Sequence, residues 1–320
     1  MGKVRVAVIG FGHLGKWHTQ KADILPNCEL VAVIERKEKI WEEISRQYPQ
    51  CIVTDKLEDI IGKIDAAIIA TPTSTHFQFV KELLAHKKHV FCEKTITQTL
   101  QEVLSIKEEI PPGIKLQNGH SERFHNCWVP LIENNFHDKL THDSFMKIER
   151  RALYKGRATD VDVVQDLMIH DIDLLLWIMN EIPTSVKCHG SKILTNHWDN
   201  VTAVFEFATG RQAIITASRG YTTEIRQVDL SNSHGYLNID LLNLKVSHSS
   251  FNKETSLVDI EEYQYEKNDH LLTEQESFYN SILNDEATII SVDDGIHAAN
   301  LIEKVLISLQ TNKAIQIESL

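Results

Sequence analysis

Two stretches of this chain set ionisable side chains among apolar ones, and a third is rich in glycine. In the run Asp162-Val163-Val164-Gln165-Asp166-Leu167-Met168-Ile169-His170-Asp171, Asp166 and His170 stand at i and i+4, which an α-helix places on one face. Such a pair among Leu, Ile, Met and Val is costly unless it is partnered or functional. A histidine near neutral pKa is a natural group to remove a hydroxyl proton as the carbon that bears it is oxidised. Asp166 would orient it or hold a neighbouring hydroxyl. Two plainer readings stand beside this one: a satisfied core histidine, or an Asp/His metal pair. The second stretch is Phe91-Cys92-Glu93-Lys94, where a strand gives out into a lysine that can hydrogen-bond a substrate hydroxyl. Its plain reading is a surface ion pair.

The third stretch tells what such groups would work with. Val6-Ala7-Val8-Ile9 runs into Gly10-Phe11-Gly12-His13-Leu14-Gly15, a strand followed by a glycine turn and a helix. Gly10 permits the tight turn, Gly12 lets the backbone approach a pyrophosphate, and Gly15 lets helix and strand pack closely. The diphosphate then lies on the N–H groups of the helix N-terminus. A second apolar run, Leu30 to Ile34, ends in Glu35, 20 residues after Gly15, where a carboxylate accepts from the adenosine ribose. Glu35 repels a 2′-phosphate and so favours NAD, while Arg36 beside it leaves NADP possible. After the strand ending at Ala70, the turn Thr71-Pro72-Thr73-Ser74-Thr75-His76 offers the Thr71 and Ser74 hydroxyls near the cofactor ribose; Ser74 or Thr75 also reads as a helix N-cap. The expected cofactor set is Gly10, Phe11, Gly12, His13, Leu14, Gly15, Glu35, Arg36, Thr71, Pro72, Ser74, His76, Glu93 and Lys94.

Positioning these residues takes two architectures. Through about residue 120 strands and helices alternate: Val4–Ile9, a helix from His13, Leu30–Ile34, an amphipathic helix around Ile40, Trp41, Ile44 and Tyr48, then Cys51–Val53 and Asp65–Ala70. A helix Thr75–His86, strand His89–Cys92, helix Leu100–Glu109 and strand Ile114–Gln117 follow. Parallel strands need such crossovers, so residues 1–120 read as a doubly wound parallel Rossmann sheet, with ligands beyond its strand ends. Residues 121–320 read as an α+β domain with a large, open, mostly antiparallel sheet. Its elements are a helix Trp128–Phe136, a strand Phe145–Leu153, the apolar helix Val163–Met179 and strands Ser185–Leu194, Val201–Phe207, Gln212–Ser218, Ile225–Leu230 and Tyr236–Ile239. Helices Leu271–Leu283 and Asp294–Leu309 and a short strand Ile315–Ile317 close the chain.

The bulk properties narrow the function. At 320 residues the chain has room for two cores, and its net charge of −12 argues against general nucleic-acid binding. No apolar stretch approaches the ~18 residues of a membrane span. Met1-Gly2-Lys3 runs straight into a strand without a signal pattern, and the five cysteines lack CxxC spacing. A reduced, cytoplasmic enzyme without a metal is expected.

Taken together, VAVIGFGHLGKWH, ATPTSTH, HVFCEK, GHSERF and DLMIHDIDLLLW resemble the Gfo/Idh/MocA oxidoreductases, in order and over essentially the whole chain. The resemblance implies a Rossmann domain holding NAD or NADP and a C-terminal domain whose open sheet often forms the oligomer interface, here in a homodimer or homotetramer. It also implies that Lys94, Asp166 and His170 serve a sugar substrate bound between the domains. Two departures stand out: Thr95 replaces the family's proline after the lysine, and Asp162-Val163-Val164 replaces glycines before the aspartate helix. That run, from Asp160 on, is similar to a subgroup of nucleotide-sugar dehydrogenases that oxidise the 3-hydroxyl of UDP-N-acetylglucosamine. An anionic substrate suits the segment 147–157, with five basic residues and one acid in an acidic protein. From it Arg151, Tyr154 and Arg157 are candidate substrate contacts, as is Arg123; the alternatives are a solvated strand face, interface salt bridges, and a pair of Arg123 with Glu122 or Glu133. Two further functions remain open: a free-sugar or inositol dehydrogenase, and a non-catalytic NAD-binding regulator.

Overall fold

The computed structural model describes residues 2–133, 139–156, 161–252, 254–318 and 320. Its first part alternates β1 (Val4–Ile9), α1 (His13–Ile24), β2 (Cys28–Ile34), α2 (Trp41–Gln47), β3 (Ile52–Thr54), β4 (Ala66–Ile69), α3 (His76–Ala85), β5 (His89–Glu93), α4 (Leu100–Glu109) and β6 (Leu116–Gly119). The six strands pair in parallel in the order β3-β2-β1-β4-β5-β6. Val6, Ala7 and Val8, and all of Ala66–Ile69, are fully buried. Central strands covered on both faces read as unbroken apolar runs, which is why they stand out in the sequence. Strand order reverses between β1 and β4, so the loops leaving those two strands open a crevice at the carboxyl edge.

The later part contains α5 (Val129–Glu133), β7 (Phe145–Ala152), a π-helical turn (Val164–Met168), α6 (Ile169–Met179), β8 (Ser185–Ser191), β9 (Asn200–Glu206), β10 (Gln212–Arg219) and β11 (Ile225–Asn232). After these come β12 (Gly235–Asp240), β13 (Lys245–Asn252), β14 (Leu257–Gln264), α7 (His270–Leu283), α8 (Val292–Thr311) and β15 (Ile315–Gln316). A nine-stranded sheet runs β14-β13-β12-β11-β7-β10-β9-β8-β15; β7 and β10 pair in parallel and the other described pairs are antiparallel. Burial alternates along β9, so one face of the sheet turns inward. Met146, Ile148, Phe205 and Ile215 from strands join Leu174 and Leu175 of α6 and Leu301 and Val305 of α8 in one core. Strands β13 and β14 were not expected. Ser247-His248-Ser249-Ser250 gives no apolar alternation, and β14 is exposed along its whole length.

The chain divides into two compact units: Met1–Phe124 with Asp269–Ile296, and His125–Asn268 with His297–Leu320. A single cut near residue 120 therefore leaves out the return of 269–296, where Phe278 and Tyr279 of α7 pack with Val4, Val6 and Phe91. The expected end of a helix at Phe136, Arg157, and the start of the Asp160 run lie outside the described residues.

Candidate active site

The glycine loop leaves β1 as the motif requires. Gly10 adopts φ +95°, and a Cβ there would lie 2.8 Å from the Ala70 carbonyl oxygen. A Cβ on Gly15 would lie 2.0 Å from the Gly10 carbonyl oxygen, so no side chain fits between helix and loop. Around Gly12 the same construction meets nothing within 4 Å. The N-terminus of α1 has no side-chain cap at Gly12 and no acid in its first turn, which leaves its N–H groups for an anion. These residues fit a dinucleotide diphosphate.

Glu35 ends β2 with its carboxylate already engaged. Oε2 accepts from the Phe11 N–H and Oε1 from the Lys37 N–H, both at 2.9 Å. Each oxygen keeps a further lone pair for a ribose hydroxyl. Arg36 is exposed beside it, as are His13 and Leu14 on the first turn of α1. Phe11 turns its ring into the core against Tyr48, so only its backbone faces the loop.

On the turn after β4, Pro72 and Ser74 are exposed and Thr71 is half-buried. The expected cap by Thr75 does not form. Its hydroxyl lies 2.7 Å from Thr71 Oγ1 and 2.8 Å from the Pro72 carbonyl oxygen, and α3 starts without a side-chain cap. His76 is buried, with Nε2 2.8 Å from the Thr71 carbonyl oxygen and Nδ1 2.8 Å from that of Thr95. Its ring therefore meets protein backbone on both edges.

Glu93 is not part of a surface ion pair. It is buried at the end of β5, and its Oε1 lies 2.7 Å from Nε2 of the fully buried His18. Burial alone would raise this carboxyl; the His18 hydrogen bond, with the charge and N–H of the adjoining Lys94, holds it below the ordinary carboxylate range. Gly119 on β6 makes room for it, since a Cβ there would crowd Glu93 Cα at 3.2 Å. Lys94 is half-buried, its N–H donates to Glu93 Oε2 at 3.2 Å, and the Lys94–Thr95 peptide bond is cis. Sequence reading missed His18, whose signal was its place one turn beyond Gly15, and Gln275, which carried none.

Arg123 is buried in the first unit, and its guanidinium donates to Asp294 Oδ1 at 2.9 Å. Burial would raise the Asp294 carboxyl, but Arg123 and Ser291 hold it low. The pair ties a short turn, Ser121–Phe124, to the start of α8.

In the second unit Asp166 lies within the π-helical turn and His170 in the first turn of α6, both half-buried. The pair is therefore not carried on one uninterrupted α-helical face. Single π turns inside helices recur at functional sites. Asp166 lines a cavity of about 100 Å³ together with Arg150, Arg151, Tyr154, Lys155, Arg219 and Arg226. Carboxylates brace these cations from behind. Arg150 Nε donates to Asp171 and Arg219 Nε to Asp199, each at 2.8 Å and each onto a fully buried acid. Arg151 pairs with Glu149 at 2.6 Å and lies over the Tyr221 ring at 4.4 Å, and Lys155 pairs with Glu224 at 2.7 Å. Burial would raise Asp199, yet the N–H groups of Leu194, Thr195 and Ile193 and the Arg219 guanidinium hold it far below the usual range. The salt bridges and the basic cavity are thus one structure. Arg219 and Arg226 come from β10 and β11, far along the chain from the basic segment. Among the described residues no group of His, Cys, Asp and Glu could hold a metal ion, and no helix is long and apolar enough to cross a membrane.

Comparison with known proteins fixes the class. Residues 4–111 match the oxidoreductase family with an NAD-binding Rossmann fold, and residues 132–237 match the GFO/IDH/MocA C-terminal domain. The UDP-N-acetylglucosamine 3-dehydrogenase of Acidithiobacillus ferrooxidans is 29% identical over 286 residues, 87% of this chain and 88% of that protein. Its crystal form P21 gives a TM-score of 0.87 at 28% identity, covering 97% of this chain and 99% of that one. The scyllo-inositol 2-dehydrogenase (NAD(+)) of Bacillus subtilis is 28% identical over 242 residues, 68% of each chain. A scyllo-inositol dehydrogenase from Lactobacillus casei, solved with NAD(H) and scyllo-inositol, shares the fold with a TM-score of 0.83 at 21% identity, over 99% of this chain and 100% of that one. The chain belongs to the Gfo/Idh/MocA family and is an oxidoreductase with an NAD-binding Rossmann fold.

Proposed function

We propose that this oxidoreductase is a nucleotide-sugar dehydrogenase that uses NAD to oxidise a ring hydroxyl of a UDP-N-acetylglucosamine-like substrate at the 3-position. The observation that carries this reading is the cavity beside Asp166, whose wall holds Arg150, Arg151, Arg219 and Arg226. Arginine forks suit phosphate oxygens, and buried carboxylates keep two of them oriented before any ligand arrives. The 29% identical relative that bears the UDP-N-acetylglucosamine 3-dehydrogenase name supports it.

In this reading His170 takes the hydroxyl proton, Asp166 accepts from a neighbouring hydroxyl, and Lys94 donates to the reacting oxygen. NAD, when bound, supplies the acceptor for the hydride leaving carbon, so the hydroxyl becomes a carbonyl. The cofactor would be held by the α1 N-terminus around Gly12, with Glu35 on the ribose; the Glu35 carboxylate argues for NAD over NADP. Preorganised hydrogen bonds and proximity supply most of the acceleration.

Inositol dehydrogenases match at similar identity, which favours a second reading, oxidation of a free polyol. Competition by UDP separates the two. A nucleotide-sugar enzyme binds UDP alone and is inhibited by it competitively against the sugar. Inositol turnover indifferent to UDP establishes the second reading instead.

A further inference from the structure

Behind Glu93 runs a line of buried polar groups that the proposed chemistry does not touch. The Tyr279 hydroxyl donates to Gln275 Oε1 at 2.9 Å, and Gln275 Nε2 lies 2.7 Å from His18 Nδ1. The His18 Nε2 lies 2.7 Å from Glu93 Oε1, and Glu93 Oε2 accepts the Lys94 N–H. His18, Gln275 and Tyr279 are fully buried. The donors and acceptors are consistent along the line. With Tyr279 on its oxygen, the Gln275 amide presents nitrogen to His18, so Nδ1 accepts and the ring proton sits on Nε2, facing the carboxylate. On the far side of Lys94, the His76 ring stands between the Thr95 and Thr71 carbonyl oxygens, with a ring nitrogen 2.8 Å from each. The backbone around Lys94 is therefore gripped from both sides by rings that are themselves inside the protein. Buried polar chains are costly when incomplete and rigid when complete.

We propose that His18 and His76 are positioning residues for Lys94: His18, set by Gln275, fixes the carboxylate that holds the Lys94 N–H, and His76 fixes the carbonyl that follows. The proposal rests on Lys94 serving the substrate, but its structural half stands apart from that reading. The test compares His18→Leu, which removes the donor, with His18→Gln, whose amide reaches to a similar point. Backbone amide exchange is measured in the free protein, and steady-state kinetics with NAD and the sugar. In His18→Leu the Lys94 amide exchanges at least about tenfold faster while the amides of Val90 and Phe91 keep their protection. In the same variant kcat falls about 10- to 100-fold at nearly constant KM. His18→Gln regains both. Unchanged exchange at Lys94, or exchange rising equally through β5, overturns the proposal. Should His18→Leu fail to fold, Gln275→Leu, which removes the donor to Nδ1, makes the same comparison. A wild-type protein that turns over no sugar sinks the proposed function, and the amide result still decides the positioning.

Discussion

Replacing His170 by alanine removes the proposed base and leaves the glycine loop intact. Loss of a general base costs about 10²- to 10⁴-fold in rate, so kcat should fall by that much while NADH binding, followed by fluorescence titration, stays near wild type. Unchanged kcat would take His170 out of the chemistry. Asp199 offers a pH test. Its folded carboxyl lies far below the unfolded value of about 3.9, so the stability it contributes is complete above that value and is lost as pH falls through the folded one. Asp199→Asn should therefore melt lower than wild type at neutral pH, with the gap narrowing below about pH 4. Lys94, Asp166 and His170 stand out in the sequence as candidates because ionisable groups in apolar runs are few. His18 was not, since one polar residue on a helix is ordinary, and Gln275 lies 257 positions from the ring it meets.

The elements divide by how their burial shows in sequence. Strands β1 and β4 are buried on both faces and read as apolar runs, and Thr99 with Glu102 marks the start of α4 as a capping box. Strand β13 offers no apolar alternation over Ser247–Ser250 and β14 buries neither face, its pairing with β13 including an exposed Lys245–Glu262 ion pair at 2.7 Å, and a π turn differs from an α turn by hydrogen-bond step, which residue types do not announce. The packing of α1 on β1 gives a sharper test. A Cβ at Gly15 meets backbone at 2.0 Å, so Gly15→Ala must push helix and loop apart. Overpacking of this kind costs about 1–3 kcal/mol, read as a lowered Tm, and NADH binding should weaken with it. Wild-type Tm and binding in Gly15→Ala would remove the third glycine from its assigned role.

At the scale of the whole molecule, the alternation of strand and helix changes near residue 120, while the first compact unit runs to Phe124 and takes in residues 269–296. The return of 269–296 to the first unit was hidden, because nothing in an amphipathic helix says which sheet it covers. We propose that the open sheet of the second unit joins copies of the chain. Strand β14 is exposed throughout, with Leu257 and Ile260 at 65% and 67%, an edge that soluble proteins cover or charge. Light scattering should give a dimer or tetramer, and a monomer at all concentrations would contradict it. Purified protein incubated with UDP-N-acetylglucosamine and NAD should produce reduced nicotinamide, with a rate that saturates in the sugar nucleotide and is inhibited competitively by UDP. No reduction with UDP-N-acetylglucosamine, alongside ready oxidation of inositol or a free sugar, would contradict the proposed substrate.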